Sequence, residues 1–386
     1  MLMAALLGAV RPAAAQQQSM ADVLTFLVTN DAVQTGSFER DRAAAQATSD
    51  TISRALLASL ATLPVTGSSG AFVYRLNPEL GTVERSTDSF GPFFVERATT
   101  AGRGQTSIGL AFQEMRFTSL DGRSLRSGSL VTTANQFTDE AAPFDVDQLK
   151  LAIDASIATL YGNAGITDRL EVGFAVPTVS LRLDGSRVNT YRGRAFTQAT
   201  ASAHTFGLAD IVLRAKYALV ERRGSGVSAA VDVRLPTGRK EDLLGAGAAS
   251  YRFSGIGSYE RGAFSAHVNG GIGTGGLARE YTWGGALALA ATSRLTLTGE
   301  LLGSWIDVPG NIVPVSAPNP TLIGVDTVRL LPDPASALRT VTVVPGVKWN
   351  VSDTWIVLAN VLLPVTTSGL TSPITPFVGL DYAFGR

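Results

Sequence analysis

Arg214 and Lys216 stand two residues apart in one apolar stretch, and Asp232 and Arg234 stand two apart in the next. Side chains at such spacing share one face of an extended strand. A charged face set against an apolar one can line an aqueous passage, hold a charged solute, or tie neighbouring strands through ion pairs. The same polar phase recurs along the chain. It gives eleven candidates for the lining of a lumen: Asp154, Glu171, Arg214, Lys216, Asp232, Arg234, Arg252, His267, Glu300, Lys348 and Asp381. Their signs are mixed, which predicts no strong ion selectivity and equally allows ion-pair ladders that fill a narrow interior.

Other chemistry finds less support. The only histidines, His204 and His267, lie too far apart in sequence to suggest one metal site, and neither sits in a Ser/His/Asp constellation. Gly271-Ile272-Gly273-Thr274-Gly275-Gly276 matches a dinucleotide-binding fingerprint literally. That fingerprint requires a following helix, and a strand around Tyr281 follows instead. Leu235-Pro236-Thr237-Gly238 lacks the spacer of a sortase signal, there is no GxSxG elbow, and the chain has no cysteine. The sequence therefore predicts no catalytic residue, no cofactor and no metal, and an enzyme is the weakest of the readings carried forward.

The 386 residues carry 32 basic and 32 acidic side chains, so nothing electrostatic favours a nucleic acid. With 45% hydrophobic residues the chain can form one large barrel or two globular domains. Leu2 to Val10 followed by Ala13-Ala14-Ala15 reads as a secretory signal over residues 1–15, without the usual basic leader. No later apolar run approaches the ~20 residues of a helical span.

The elements that must carry the polar phase are strands. Ile211, Leu213, Ala215, Tyr217 and Leu219 alternate with polar partners, and the alternation restarts after Glu221–Gly226 as Val227, Ala229, Val231, Val233 and Leu235. Such a hairpin fits a soluble sandwich or an outer-membrane barrel. About twelve such strands fill residues 103–386, with a phase slip and bulge predicted near Gln113-Glu114 of the first. Short connections (162–167, 221–226, 260–262, 291–294, 350–353) alternate with long ones (119–146, 184–205, 236–247, 306–338). Apolar-phase aromatics collect at strand ends: Tyr161, Tyr217, Tyr259, Phe264, Trp349 and Trp355 by the short turns, Tyr382 near the C-terminus, and Phe117, Trp283 and Trp305 opposite. Sorted loop lengths and two aromatic girdles favour an all-β, antiparallel up-and-down barrel in the outer membrane of a Gram-negative bacterium, in contact with its lipid. Residues 16–102 break the pattern. A helix is predicted over Arg42–Leu63, then a hairpin from 72–75 and 82–85, then the aromatic stretch Ser89–Arg97. They form either a periplasmic subdomain or a plug in the barrel mouth.

Three stretches carry a resemblance. Tyr161-Gly162 with Gly165–Leu170 and Val176-Pro177 is the first, Gly207–Tyr217 the second, and Arg234–Gly238 with Asp242–Gly245 the third. Together they resemble the outer-membrane barrels named for the meta-pathway of phenol degradation, grouped loosely with long-chain fatty-acid and aromatic-hydrocarbon channels. The resemblance implies passage of small hydrophobic or aromatic compounds, with no assigned catalytic or binding residue. Such barrels usually end on an aromatic residue read by the barrel-assembly machinery; here Gly385-Arg386 follow Phe384. A non-conducting structural or surface-interaction barrel is the alternative.

Overall fold

The computed structural model describes residues 19–29, 38–61, 74–77, 82–85, 89–222, 224–309, 311–352 and 354–384. Residues 1–15, read above as a signal, lie outside the described residues, as do Gly385 and Arg386. Twelve strands form the barrel: β1 Thr106–Phe117, β2 Asp145–Gly165, β3 Leu170–Tyr191, β4 Val212–Arg222, β5 Ser225–Arg234, β6 Ser250–Arg261, β7 Phe264–Gly275, β8 Glu280–Thr292, β9 Leu295–Ile306, β10 Leu338–Ser352, β11 Trp355–Pro364 and β12 Thr375–Phe384. Each pairs antiparallel with its neighbours in sequence, and β12 pairs with β1, which closes the sheet and removes its edges.

Period-two alternation sets the two faces. On β4, Leu213 and Tyr217 are exposed while Val212, Lys216 and Ala218 are buried. Large apolar side chains cover the outside, among them Leu110, Phe253, Val268, Ile272 and Leu287. Tyr217, Tyr259, Phe264, Trp349 and Trp355 point outward near the short turns, and Trp283 and Trp305 near the other rim. A soluble monomer rarely exposes so continuous an apolar belt. Among the described residues no helix is long and apolar enough to cross a membrane.

At one end the barrel is tall. The β2–β3 ladder runs unbroken from Gly165↔Glu171 to Asp145↔Tyr191. Strand Leu130–Phe137 adds to β2, the hairpin Ile312–Pro318/Val325–Pro332 adds beyond it, and Arg194–Leu208 adds to β3. Three of the long connections expected as loops therefore continue as ladders, because their residues keep alternating past the belt.

Two helices fill that end: α1 Met20–Val28 and α2 Phe38–Ala61. Ser19 caps α1, its Oγ accepting the amide of Asp22 at 3.1 Å. Leu24 and Leu27 of α1 and Ile52 and Leu56 of α2 bury their apolar faces among Met115 and Phe117 of β1 and Leu149, Leu151, Ile153 and Ile157 of β2. Helix α1 closes onto Gly185, where a Cβ would lie 2.2 Å from Leu27 Cδ1. The side chain of Thr48 on α2 donates to the Leu330 carbonyl at 2.8 Å.

This packing corrects three expectations. The β1–β2 register is continuous, so there is no bulge at Gln113-Glu114: Met115 and Phe117 point inward because helices replace water there. The apolar phase of β2 is likewise interior, which takes Tyr161 and Phe117 out of the lipid girdles. Asp154, on the opposite phase of β2, then faces outward rather than into the lumen, with Arg126 at 3.9 Å and Arg116 and Arg182 directly across from it.

Candidate functional site: an occupied lumen

Below the helices, residues 89–101 run through the barrel and leave it beside the first short turn, where Gly104 donates its amide to the Gly165 carbonyl at 2.9 Å. Along that path the buried wall residues hold backbone rather than solute. Glu300 on β9 accepts the amides of Phe94 and Val95 at 2.8 Å each and also that of Phe93. Lys348 on β10 donates to the Pro92 carbonyl at 2.9 Å, its ammonium 4.8 Å from the centre of the Phe93 ring. Ser258 on β6 accepts the amide of Ala98 at 2.7 Å, and Ser228 on β5 donates to the Ala98 carbonyl. Lys216 on β4 donates to the Thr99 carbonyl at 3.1 Å, and Glu171 on β3 accepts the amide of Ala101 at 2.7 Å. An irregular segment in a closed barrel has no ladder to satisfy its amides and carbonyls, so the wall must supply partners. That requirement explains why so many polar side chains point inward.

Apolar contacts fix the segment sideways. Phe93 and Phe94 meet Phe377 of β12 edge-on at centroid distances of 6.2 and 5.5 Å. Glycine makes room on the wall: a Cβ at Gly346 would lie 2.6 Å from Phe93 Cε2, and one at Gly284 would lie 2.9 Å from Val95 Cγ2.

The remaining candidates fall into two groups. Asp381 accepts from the hydroxyl of Tyr161, and His267 hydrogen-bonds Ser258 at 2.8 Å and Ser265 at 3.1 Å. Ser265 in turn meets Ser89 at 3.0 Å, so the histidine braces the start of the inserted segment. The other group is a row across consecutive strands: Arg214↔Asp232↔Arg252↔Gly273↔Glu280. Arg214 pairs with Asp232 at 2.9 Å and with Glu96 of the inserted segment. Arg252 reaches past Gly273 to Glu280 at 2.9 Å, and a Cβ at Gly273 would lie 3.3 Å from the Glu280 carboxylate. Arg234 is one step further along the wall, opposite Val212 and Ser250. Lys216 closes the set with Glu171 at 3.3 Å.

Between this row, the segment and α2 lies a cavity of about 330 Å³. Arg214, Asp232, Arg234, Arg252, Glu280 and Glu96 line it on one side; Phe94, Met115, Phe117 and Leu362 line it on another. Glu96, Glu280 and Gly273 were missed by the sequence reading. Glu280 stands on the polar phase of β8, two residues before Thr282, which is a usable signal; for Glu96 no local pattern exists.

At the rim, the motif Gly207–Tyr217 with Arg234–Gly238 proves to be a loop tie. Asp210 accepts the amides of Gly238 at 3.0 Å and Ala246 at 2.9 Å, and the Thr237 hydroxyl donates to the Ala209 carbonyl at 2.8 Å. The loop so held buries Leu243 and Leu244 with the helices, and its Glu241 carbonyl accepts the amide of Ala21 at 3.1 Å. Asp121 ties another rim loop by accepting the amides of Gly369 at 2.8 Å and Ile312 at 2.7 Å; burial nevertheless pushes its carboxyl above the ordinary range. Among the described residues no group of three or more His, Asp or Glu could hold a metal ion.

No family model and no curated protein matches the chain. Distant likeness to three solved structures is found. An outer membrane channel from Pseudomonas putida F1 has 14% sequence identity, covers 74% of this chain and 98% of its own, and gives a TM-score of 0.47. The KdgM porin in complex with disordered oligogalacturonate has 10% identity, covering 72% of this chain and 99% of its own at a TM-score of 0.36. The CymD monoaromatic hydrocarbon channel has 8% identity, covering 74% of this chain and 90% of its own at 0.34.

Proposed function

We propose that this barrel sits in the outer membrane of a Gram-negative bacterium and passes small hydrophobic or aromatic compounds, with residues 89–101 as its plug. One observation carries the reading: the buried polar wall of a closed barrel is spent on holding an inserted segment, not on building a compact core. The interior is thus a passage that is shut rather than one that was never there. The apolar belt and its aromatic rims supply the lipid contact. The apolar side of the cavity, Phe94, Met115 and Phe117, favours an apolar solute over a sugar. Membership of the family named for the meta-pathway of phenol degradation is part of the proposal and rests on the three motifs above, as does the assignment of residues 1–15 to an export signal.

Uptake into proteoliposomes, measured with a panel of aromatic, aliphatic and sugar solutes, tests the proposal. Faster entry of the aromatic and aliphatic compounds than into protein-free vesicles is expected. Equal entry with and without the protein would leave the non-conducting barrel as the better account.

A further inference from the structure

Among the residues that line the cavity, the arginines of the wall outnumber its carboxylates. The wall contributes Arg214, Arg234 and Arg252 against Asp232 and Glu280, and the third carboxylate, Glu96, arrives on the inserted segment. Asp232 and Glu280 are fixed on β5 and β8 and are engaged by Arg214 and Arg252. Arg252 has capacity left: its Nε is buried and makes no hydrogen bond among the described residues. A buried guanidinium N–H without an acceptor is costly, and an incoming carboxylate supplies one through a charge-assisted hydrogen bond. Across the cavity stand Phe94, Met115 and Phe117.

We infer that the cavity is a binding site for small amphipathic carboxylates, an ionised carboxylate on an aromatic or short aliphatic body. The carboxylate binds Arg252 and Arg234, and the apolar body lies against Phe94, Met115 and Phe117. Glu96 pairs with Arg214 in the same row and lies within electrostatic reach of Arg252, so its negative charge opposes a ligand carboxylate held by Arg252 and Arg234. At about 330 Å³ the cavity lies at the small end of ligand pockets, which suits a single-ring acid. The inference rests on the proposed passage of apolar compounds and narrows it to those bearing an acid.

Binding of 4-phenylbutyrate and of its neutral counterpart 4-phenylbutanol is measured by equilibrium dialysis on the full chain in lipid nanodiscs, where detergent cannot occupy the cavity. The wild type is expected to bind the carboxylate saturably. Arg252→Gln weakens that binding about tenfold or more, the loss of one charge-assisted contact. Glu96→Gln removes that opposing charge and tightens it, a change that misfolding cannot produce. Phenylbutanol binding responds to neither substitution. If Arg252→Gln fails to fold, Arg234→Gln is read the same way. Equal affinity for both probes, or weakened carboxylate binding in Glu96→Gln, overturns the inference. Phenylbutanol uptake into proteoliposomes separates the two readings. Uptake without carboxylate binding removes this site and leaves the channel; carboxylate binding as described without uptake supports the site and removes the channel.

Discussion

Glu300 on β9 takes the backbone amide of Val95 at 2.8 Å, from inside a barrel wall that is 3% exposed at that residue. The same carboxylate accepts the amides of Phe93 and Phe94. Three consecutive amides converging on one acceptor make Glu300 the strongest single anchor of the segment. Glu300→Ala would leave them buried without partners, at about 1–3 kcal/mol each, so release of the segment becomes the cheaper outcome. Cleavage within residues 89–101 by an added protease is expected to rise in Glu300→Ala barrels. Unchanged protection would show that Phe93, Phe94 and Lys348 suffice to hold the segment.

Arg214 on β4 lies directly opposite Asp232 on β5. From the turn, Val220 faces Val227, and a bulge at Leu219 shifts the frame before Ala218↔Ser228. Glu96 covers this pair and leaves the side chains 8% and 13% exposed. Truncating one partner strands a buried charge. Arg214→Ala is expected to destabilise the barrel by about 3–5 kcal/mol, well beyond the ~0–1 kcal/mol of a wet pair. Urea unfolding from lipid vesicles measures it; a loss below about 1 kcal/mol would return the pair to solvent.

Leu213 and Leu287 are exposed on the outer face, and Val231 and Val357 alternate there with the inward Ala230, Ile356 and Leu358. Arginine at any of the four is expected to cost about 2–4 kcal/mol on insertion into a bilayer. Refolding at unchanged stability would place these positions against water.

The tall end is expected to face outward. Tags inserted at Arg192-Gly193, the tip of the hairpin that continues β3, or at Leu322-Ile323 are predicted to bind antibody on intact cells. Labelling that appears only after permeabilisation would invert the barrel.

The strands were legible because lipid outside and polar groups inside impose a period of two, and short turns at one end punctuate it. What alternation does not encode is which side the apolar phase faces. On β4–β9 it faces lipid; on the upper parts of β1 and β2 it faces α1 and α2, so Met115, Phe117 and Leu149 through Ile157 read as lipid-facing while Asp154 read as lumen. The helix α2 showed in the spacing of Ile52 and Leu56, whereas α1 went unseen although Ser19 and Asp22 give the capping pattern. The partners of Glu171, Lys216, Glu300 and Lys348 on the inserted segment were not legible. They are backbone groups of residues 89–101, whose carbonyls and amides carry no signature in the sequence.

The central claim is that passage requires residues 89–101 to move, and a reversible lock measures it. A Cβ at Gly226 on β5 would lie 3.2 Å from Ala98 Cβ, close to disulfide range, and the chain has no cysteine of its own. The barrel carrying Gly226→Cys and Ala98→Cys is reconstituted, oxidised, and assayed for uptake of an aromatic solute before and after reduction. Uptake abolished by oxidation and restored to the wild-type rate by reduction is the predicted result. Uptake at the wild-type rate while the disulfide is intact would contradict it.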